Sequence, residues 1–285
     1  MLGLIVYKIA ELIAVTTPYP LSYFISNVSA KIWFLTRLNV GATKNNVSNV
    51  LNLDKNSKEV GRITKTIFIN WAKNIVDFLK HPVISKEKLK QRVEIVGLEN
   101  LDEALKKGKG VVIFTAHIGN FEWGACRLAV EGYKIWGVSL VRKSSRLNKF
   151  FEARRLSKGV KTLYVNKMLH VFKILRNNEI VAIPTDWDPG ARATPFNLFG
   201  KKAYLPNGPV HIALMSGAAL IPSFIIRKGK YNHYQVIGEP IKLCAEGDKK
   251  TLISKNMGKM VEVLEKYIKD NIVEWEMFHN IWDEE

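Results

Sequence analysis

Apolar side chains in the first eighty residues recur at helical spacing, as in helices with one face turned inward. The pattern predicts one helix to about Thr16, stopped ahead of Pro18, and a second over residues 21–37. A third is expected over 58–79, where Ile63, Ile67, Trp71, Ile75 and Phe78 follow the helical period. The asparagine-rich stretch 45–56 reads as a linker or a short capped helix, and His81-Pro82 punctuates the end of this part. From about Val93 the rhythm changes to short apolar runs separated by helical patterns. Strands are expected at 93–96, 111–115, 135–141, 162–165, 180–185, 219–227 and 234–237. Helices are expected at 101–107, 120–131, 147–157, 168–176, 209–215 and 252–270. That alternation predicts an α/β fold, a mixed, largely parallel sheet flanked by helices. The chain divides on this reading into an N-terminal helical, membrane-associating region (1–85) and an α/β domain (86–285).

The hydropathy of the first part bears on its surroundings. LGLIVYKIAELIAVTTPYP (2–20) is apolar apart from Lys8 and Glu11, and LSYFISNVSAKIWFL (21–35) follows. Neither is an uninterrupted run of the about 20 apolar residues that a membrane span needs. The basic start and small-residue cleavage site of a signal peptide are missing as well. Lys8 and Glu11, three positions apart, suit a helix lying in a membrane interface, although a buried helix would show the same hydropathy.

Charge narrows the partners. The 285 residues carry a formal +17, with 47% apolar and 10% aromatic residues, enough for a substantial core and an anionic partner. Arg142, Lys143, Arg146, Lys149, Arg154, Arg155, Lys158 and Lys161 crowd one segment against the single acid Glu152. No RNA-binding signature, zinc finger or basic zipper accompanies them, so a membrane surface with its lipid phosphates is the expected partner and nucleic acid is not. Cys126 and Cys244 form no disulfide framework, which fits a reducing, cytosol-facing setting. The six histidines are scattered without zinc spacing, so no metal is expected.

Two segments carry candidate chemistry. Residues 111–122 read VVIFTAHIGNFE: a strand, a small-residue turn, then His117 and, five positions on, Glu122. Five residues along a regular helix turn side chains apart by about 140°. The pair therefore meets only if His117 lies in the turn and Glu122 in the first helical turn behind it. That would make a general base and its orienting carboxylate at the carboxyl end of a strand. Residues 180–200 read IVAIPTDWDPGARATPFNLFG, where a second strand delivers Asp186 to the same rim. Asp188 reads more simply as part of a salt-bridged loop, and 196–200 and 205–209 as turns. No GxGxxG or Walker sequence is present.

Together these blocks resemble the lysophospholipid-acyltransferase superfamily, and within it the late acyltransferases of lipid A biosynthesis, the lauroyl/myristoyl transferase group. Val96-Gly97-Leu98-Glu99 leads through Leu101 and Gly108–Gly110 into His117-Ile118-Gly119-Asn120-Phe121-Glu122, similar to the family's His-x4-acid motif. Arg142 with Arg154-Arg155 is similar to a second block. Thr185-Asp186-Trp187-Asp188-Pro189-Gly190 with Phe199-Gly200 is similar to a third, and Trp275, Phe278-His279 and Trp282 to a C-terminal signature. Departures occur at Phe121, where tryptophan is common, at Leu198, where phenylalanine is usual, and at Thr185, often proline. The resemblance implies a glycerolipid-acyltransferase-like fold on the cytoplasmic face of a bacterial inner membrane. It implies an O-acyltransferase that moves a fatty acyl chain from acyl-carrier protein or acyl-CoA to a hydroxyl of an anionic glycolipid, without cofactor or metal. A phosphatidylinositol-mannoside or other phospholipid acyltransferase is the alternative, and a non-catalytic basic membrane-binding protein the rival outside enzymes. His117 and Glu122 are then the catalytic expectation, with Glu122 holding the imidazole. Asn120, Arg142, Arg154, Arg155, Asp186, Asp188, Gly190 and Arg192 are expected at the substrate, with Arg154 or Arg155 ion-paired to Asp186. Phe121, Trp123 and Trp187 are expected to line the acyl pocket.

Overall fold

The computed structural model describes residues 2–188 and 194–282. Four helices open the chain: α1 (Leu2–Thr16), α2 (Tyr19–Leu35), α3 (Val40–Leu51) and α4 (Lys58–Leu79). The alternating part begins with α5 (Lys86–Arg92), β1 (Val93–Val96), α6 (Leu98–Lys106), β2 (Val111–Thr115), α7 (Phe121–Glu131) and β3 (Ile135–Ser139). It continues with α8 (Ser145–Leu156), β4 (Lys161–Tyr164), α9 (Val171–Arg176) and β5 (Ile180–Pro184). The hairpin β6 (Thr194–Leu198) and β7 (Lys201–Leu205) precedes α10 (Gly208–Ser216), β8 (Ala219–Lys228), β9 (Asn232–Ile237) and α11 (Lys249–Asp270).

Seven strands form one sheet in the order β1-β9-β8-β2-β5-β3-β4. Every pairing is parallel except β8 with β9, which are joined by a tight connection. The sheet is thus mixed and largely parallel, as expected. Its centre is β2, buried at all five positions, which accounts for the unbroken apolar run VVIFT. Alternate side chains of β2 enter two cores. Val112 and Phe114 join the cluster with Phe224, Met260 and Trp275, while Val111 and Ile113 join Trp123, Leu128 and Ile225 under α7.

The helices of the first part are set by local chemistry as much as by period. Ser57 caps α4 by accepting a hydrogen bond from the Val60 N–H, and the helix stops just ahead of Pro82. The stretch expected as linker or short helix (45–56) holds the second half of α3 and the turn behind it, and α3 is flanked by Asn39 and Asn52 at φ 63° and 53°. Its asparagines read as loop because they are polar, yet buried Asn46 donates to the carbonyls of Met277 and His279. The β6–β7 hairpin replaces the turns expected at 196–200. Phe199 and Gly200 form its two-residue connection, both at positive φ (53° and 77°), a conformation that phenylalanine rarely signals. Among the described residues no helix is long and apolar enough to cross a membrane.

Candidate functional site

Strand register places the central pair. β2 and β5 are parallel neighbours with Thr115 opposite Pro184, and Thr185 extends the contact through its main-chain N–H and hydroxyl to the Thr115 carbonyl. Two residues beyond that level on each strand stand His117 and Asp186. The Asp186 carboxylate accepts from the ring Nδ1 of His117 at 2.8 Å and from its main-chain N–H at 2.8 Å, and the Trp275 indole donates to it at 2.9 Å. Asp186 is fully buried, whereas 29% of the His117 side chain is exposed. Burial alone would raise the Asp186 carboxyl. The imidazole's charge and these hydrogen bonds outweigh it and hold the carboxyl below its usual range. For His117, burial pulls the pKa down, but the Asp186 charge and hydrogen bond, helped by Glu276 and Glu122, leave it above the ordinary histidine value. An ionised Asp186 can only accept, so Nδ1 carries the proton and Nε2 is left as a base.

The loop bearing His117 is strapped from behind by the chain's C-terminal segment. Ile118 bridges Trp275, Gly119 N–H donates to the Glu274 carbonyl at 2.9 Å, and Glu276 N–H donates to the His117 carbonyl at 2.7 Å. Gly119 stands at φ +57°, and a Cβ there would lie 2.1 Å from the Ile225 carbonyl oxygen, so only glycine fits. The strap itself hangs on α4: Asn70 donates to Glu274 (2.7 Å) and Asn74 to Glu276 (2.6 Å). Burial pushes these two carboxyls up, Glu274 to about 7 and Glu276 to about 8. Asp77, one turn on, accepts from Tyr23, Asn120 and Arg227 (2.7, 3.1 and 3.2 Å). This network was missed in the sequence, although Asn70, Asn74 and Asp77 lie at helical spacing on an otherwise well-buried helix.

Glu122 does not orient His117. It sits in the first turn of α7, as expected, but turns toward α8, where Arg155 meets it with three contacts of 2.6–3.2 Å. Burial would raise Glu122 and lower Arg155. Their mutual charge wins on both sides, leaving the carboxyl low and the guanidinium high. Glu122 reaches His117 only through its field. The physical reason is the helix itself: the turn that exposes the imidazole toward β5 rotates Glu122 to the opposite flank.

Arg155, not Arg154, enters the site; Arg154 pairs with Glu11 of α1 and lies over the Phe150 ring. Neither pairs with Asp186, whose partners are His117 and Trp275. Arg142 is half-buried over Phe151, and burial together with Arg155's charge lowers its pKa, so it belongs to the Glu122–Arg155 side. Asn120 caps α7, with Oδ1 accepting from Trp123 N–H and Nδ2 donating to Asp77, so its side chain is engaged within the protein. Trp123 is core, fully buried with its indole on the Asp77 carbonyl. Trp187 stacks on His279 at 4.3 Å. Phe121 alone of the three aromatics meets the imidazole, edge to face at 5.3 Å. It also lines a cavity between α7 and the sheet with Ile113, Leu128 and Ile225 and with the polar side chains of Thr115, Ser223 and Gln235. That cavity measures about 30 Å³, room for a water or two and not for a hydrocarbon chain. Asp188 is half-buried just past Trp187, and Gly190 and Arg192 lie outside the described residues.

Comparison with known proteins adds four findings. The profile of the family described as "Bacterial lipid A biosynthesis acyltransferase" matches residues 2–284. A phosphatidylinositol mannoside acyltransferase of Mycobacterium tuberculosis is 29% identical over 174 residues, 59% of this chain and 54% of that one. A lipid A biosynthesis lauroyltransferase of Escherichia coli is 26% identical over 171 residues, 59% and 56% of the two chains. The chain therefore spans about half the length of the curated relatives it matches. A crystal structure of a 1-acyl-sn-glycerophosphate acyltransferase from Thermotoga maritima aligns over 88% of this chain and 97% of its own, with 13% identity and a TM-score of 0.41.

Proposed function

We infer the reaction from the premise that this chain belongs to the bacterial lipid A biosynthesis acyltransferase family. It transfers a fatty acyl group from a thioester, carried by acyl-carrier protein or coenzyme A, to a hydroxyl of an anionic glycolipid. The observation that carries this reading is a solvent-reaching imidazole fixed at the carboxyl end of β2 by a buried carboxylate. With its Nδ1–H donated in a hydrogen bond to Asp186, His117 takes the acceptor hydroxyl's proton at Nε2 as that oxygen bonds to the thioester carbonyl carbon. The tetrahedral intermediate collapses by breaking the C–S bond, and the imidazolium returns the proton to the departing thiolate. Asp186 stays ionised throughout, stabilising the imidazolium without taking its proton, as in the serine-protease template. The sugar supplies the nucleophile, so no acyl-enzyme is needed.

The acceptor's negative charge finds cations on the α8 flank, where Arg142 lies against a pair, Glu122–Arg155, that is neutral overall. Membrane attachment falls to α1 and α2. Leu21, Phe24, Val28, Ile32 and Leu35 make an exposed apolar stripe along α2, with Phe24 65% and Leu35 76% accessible, and Ile5, Ile9 and Leu12 do the same on α1. Helices that turn an apolar stripe outward and are too short to span lie in the interface. The resemblance points to a cytoplasmic-face inner-membrane site. The acceptor is a lipid A precursor on the family's side, with a mannosylated phosphatidylinositol favoured by the mycobacterial relative.

One assay tests both. Purified protein is given acyl-carrier-protein and coenzyme A thioesters with a lipid A precursor, a phosphatidylinositol mannoside and a lysophospholipid in separate tubes, and products are weighed by mass spectrometry. An acyl-sized mass gain on one glycolipid, lost in His117→Ala, is expected. Acylation of the lysophospholipid alone would overturn the glycolipid reading.

A further inference from the structure

A pocket of about 400 Å³ lies away from His117, lined by Tyr19, Lys80, Val83, Ile84, Lys88 and Arg92. Its volume is in the range of small-ligand sites, about 300–1,000 Å³. Three cations share its wall, and no carboxylate does. Two of them converge on one ring: the Arg92 guanidinium lies 3.7 Å and the Lys80 ammonium 4.6 Å from the Tyr19 centroid. Lys80 is held by the carbonyls of Ala14 and Thr17 at the end of α1, which fixes its charge in place. Asp77, buried beneath, is occupied by Arg227, Tyr23 and Asn120. Polar atoms meanwhile stand unanswered here. Arg92 Nη1, Tyr19 Oη and, on a second ring 5.5 Å from the Arg92 guanidinium, Tyr231 Oη are buried without a hydrogen-bond partner among the described residues. With no acceptor on that guanidinium N–H and no carboxylate in the wall, the Arg92 charge stands uncompensated beside the pocket.

The surroundings say which anion. Tyr19 opens α2, the helix whose outward face is the apolar stripe; exposed Val83 lines the pocket, and Leu21, two residues past Tyr19, begins that stripe. With the stripe lying in a bilayer, the pocket stands at headgroup level, where phosphates are concentrated. We propose that this pocket is a second, non-catalytic lipid site that takes the phosphodiester headgroup of an anionic phospholipid such as phosphatidylglycerol from the surrounding leaflet. The proposal rests on reading α1 and α2 as interfacial. It also relocates part of the expected phosphate recognition, because Arg154 and Arg155 of the basic helix are engaged by Glu11 and Glu122.

The full chain is titrated calorimetrically with dihexanoyl-phosphatidylglycerol below its micelle concentration, and in parallel with dihexanoyl-phosphatidylcholine and inorganic phosphate. Saturable one-to-one binding of phosphatidylglycerol is expected, with phosphatidylcholine and phosphate much weaker. Removing the exposed charge in Lys88→Met should weaken it about fivefold, and Arg92→Met should weaken it further, with Lys149→Met as the control on α8. Unchanged binding in Lys88→Met, an equal loss in Lys149→Met, or phosphate binding as tight as phosphatidylglycerol each overturns the proposal. Flotation on phosphatidylcholine vesicles with and without phosphatidylglycerol separates it from its premise. A protein that binds the soluble lipid in a Lys88-dependent way but never floats keeps the pocket and loses the interfacial reading of α1 and α2.

Discussion

Two carboxylate pairs flank the first turn of α7, and they do opposite things. On the β5 side Asp186 holds an imidazole that reaches solvent; on the α8 side Glu122 holds a guanidinium that is almost enclosed, with 10% of its side chain accessible. Both acids are ionised, and both owe this to a partner's charge overcoming burial. The difference lies in what each partner does next. Imidazole exchanges a proton near neutral pH, while guanidinium never does, so one pair is a proton device and the other a structural clamp with a positive flank.

The sharpest way to break this contrast is to neutralise each acid in place. Asp186→Asn should lower the turnover number about 10⁴-fold, since an amide no longer fixes the tautomer or stabilises the imidazolium. His117→Ala should fall in the range of about 10²–10⁴. The pH profile sharpens the same point. Turnover needs neutral His117, so it should drop as pH falls through the raised histidine pKa, and Asp186→Asn should move that limb to lower pH. Stability runs the other way. The raised His117 pKa contributes stability that is present below the unfolded value and lost as pH rises through the folded one. The lowered Asp186 pKa contributes stability present above its unfolded value and lost as pH falls through the folded one. The pair is therefore firmest between about pH 4 and 6.5 and most active above that window. Wild-type turnover in a folded Asp186→Asn protein would end the dyad.

Glu122→Gln should act on the fold first. Leaving Arg155 buried beside a neutral amide costs about 3 kcal/mol, read as a lower denaturant midpoint, with turnover reduced through the displaced cation. A variant that loses turnover with its stability intact would instead put Glu122 in the chemistry, as the bare His-x4-Glu spacing suggests.

That spacing shows where sequence reading stops. The strand ends carrying His117 and Asp186 were legible because β2 and β5 are apolar runs closed by turn chemistry, and both residues were placed on one rim. Their pairing was not, since it depends on register between strands sixty-odd residues apart in the chain, and the nearer acid drew the assignment. Helix phase then decided against Glu122. The strap and the α4 network escaped for a related reason: Asn70, Asn74 and Asp77 look like ordinary polar positions until the C-terminal segment is laid against them. Trp123 and Trp187 show the converse, aromatics adjacent in sequence to the chemistry that pack as core and as a stacked ring.

Smaller effects probe what supports the dyad. Trp275→Phe removes one hydrogen bond to an ionised carboxylate and should cost about 1.5 kcal/mol, near tenfold in turnover, with KM little changed. As pH rises from about 4.5 to about 8 the strap should lose stability in the wild type. Glu274 and Glu276 have raised folded pKa values, so the stability they contribute when protonated is lost as pH rises through about 7 and about 8. Thermal melting against pH should show this decline, and Glu276→Gln, which keeps Asn74's acceptor without the charge, should flatten it. A decline of the same steepness in that variant would mean the strap is not the pH-sensitive element.

The smallest expected effect separates the two adjacent arginines. Arg154 and Arg155 are neighbours on α8, but successive helical residues point about 100° apart, so one reaches Glu11 on α1 while the other reaches Glu122. The Arg154–Glu11 contact ties α1 to α8 with 15% and 18% of the two side chains accessible, enclosed nearly as much as Arg155–Glu122, so the two pairs differ in what they touch and not in burial. A double-mutant cycle on Arg154→Ala and Glu11→Ala should therefore return a coupling of the same order as the cycle on Arg155 and Glu122, yet leave turnover on detergent-dispersed acceptor nearly unchanged. The Arg155 and Glu122 cycle should carry turnover with it. A turnover loss in Arg154→Ala would move the site's cation to the other face of α8.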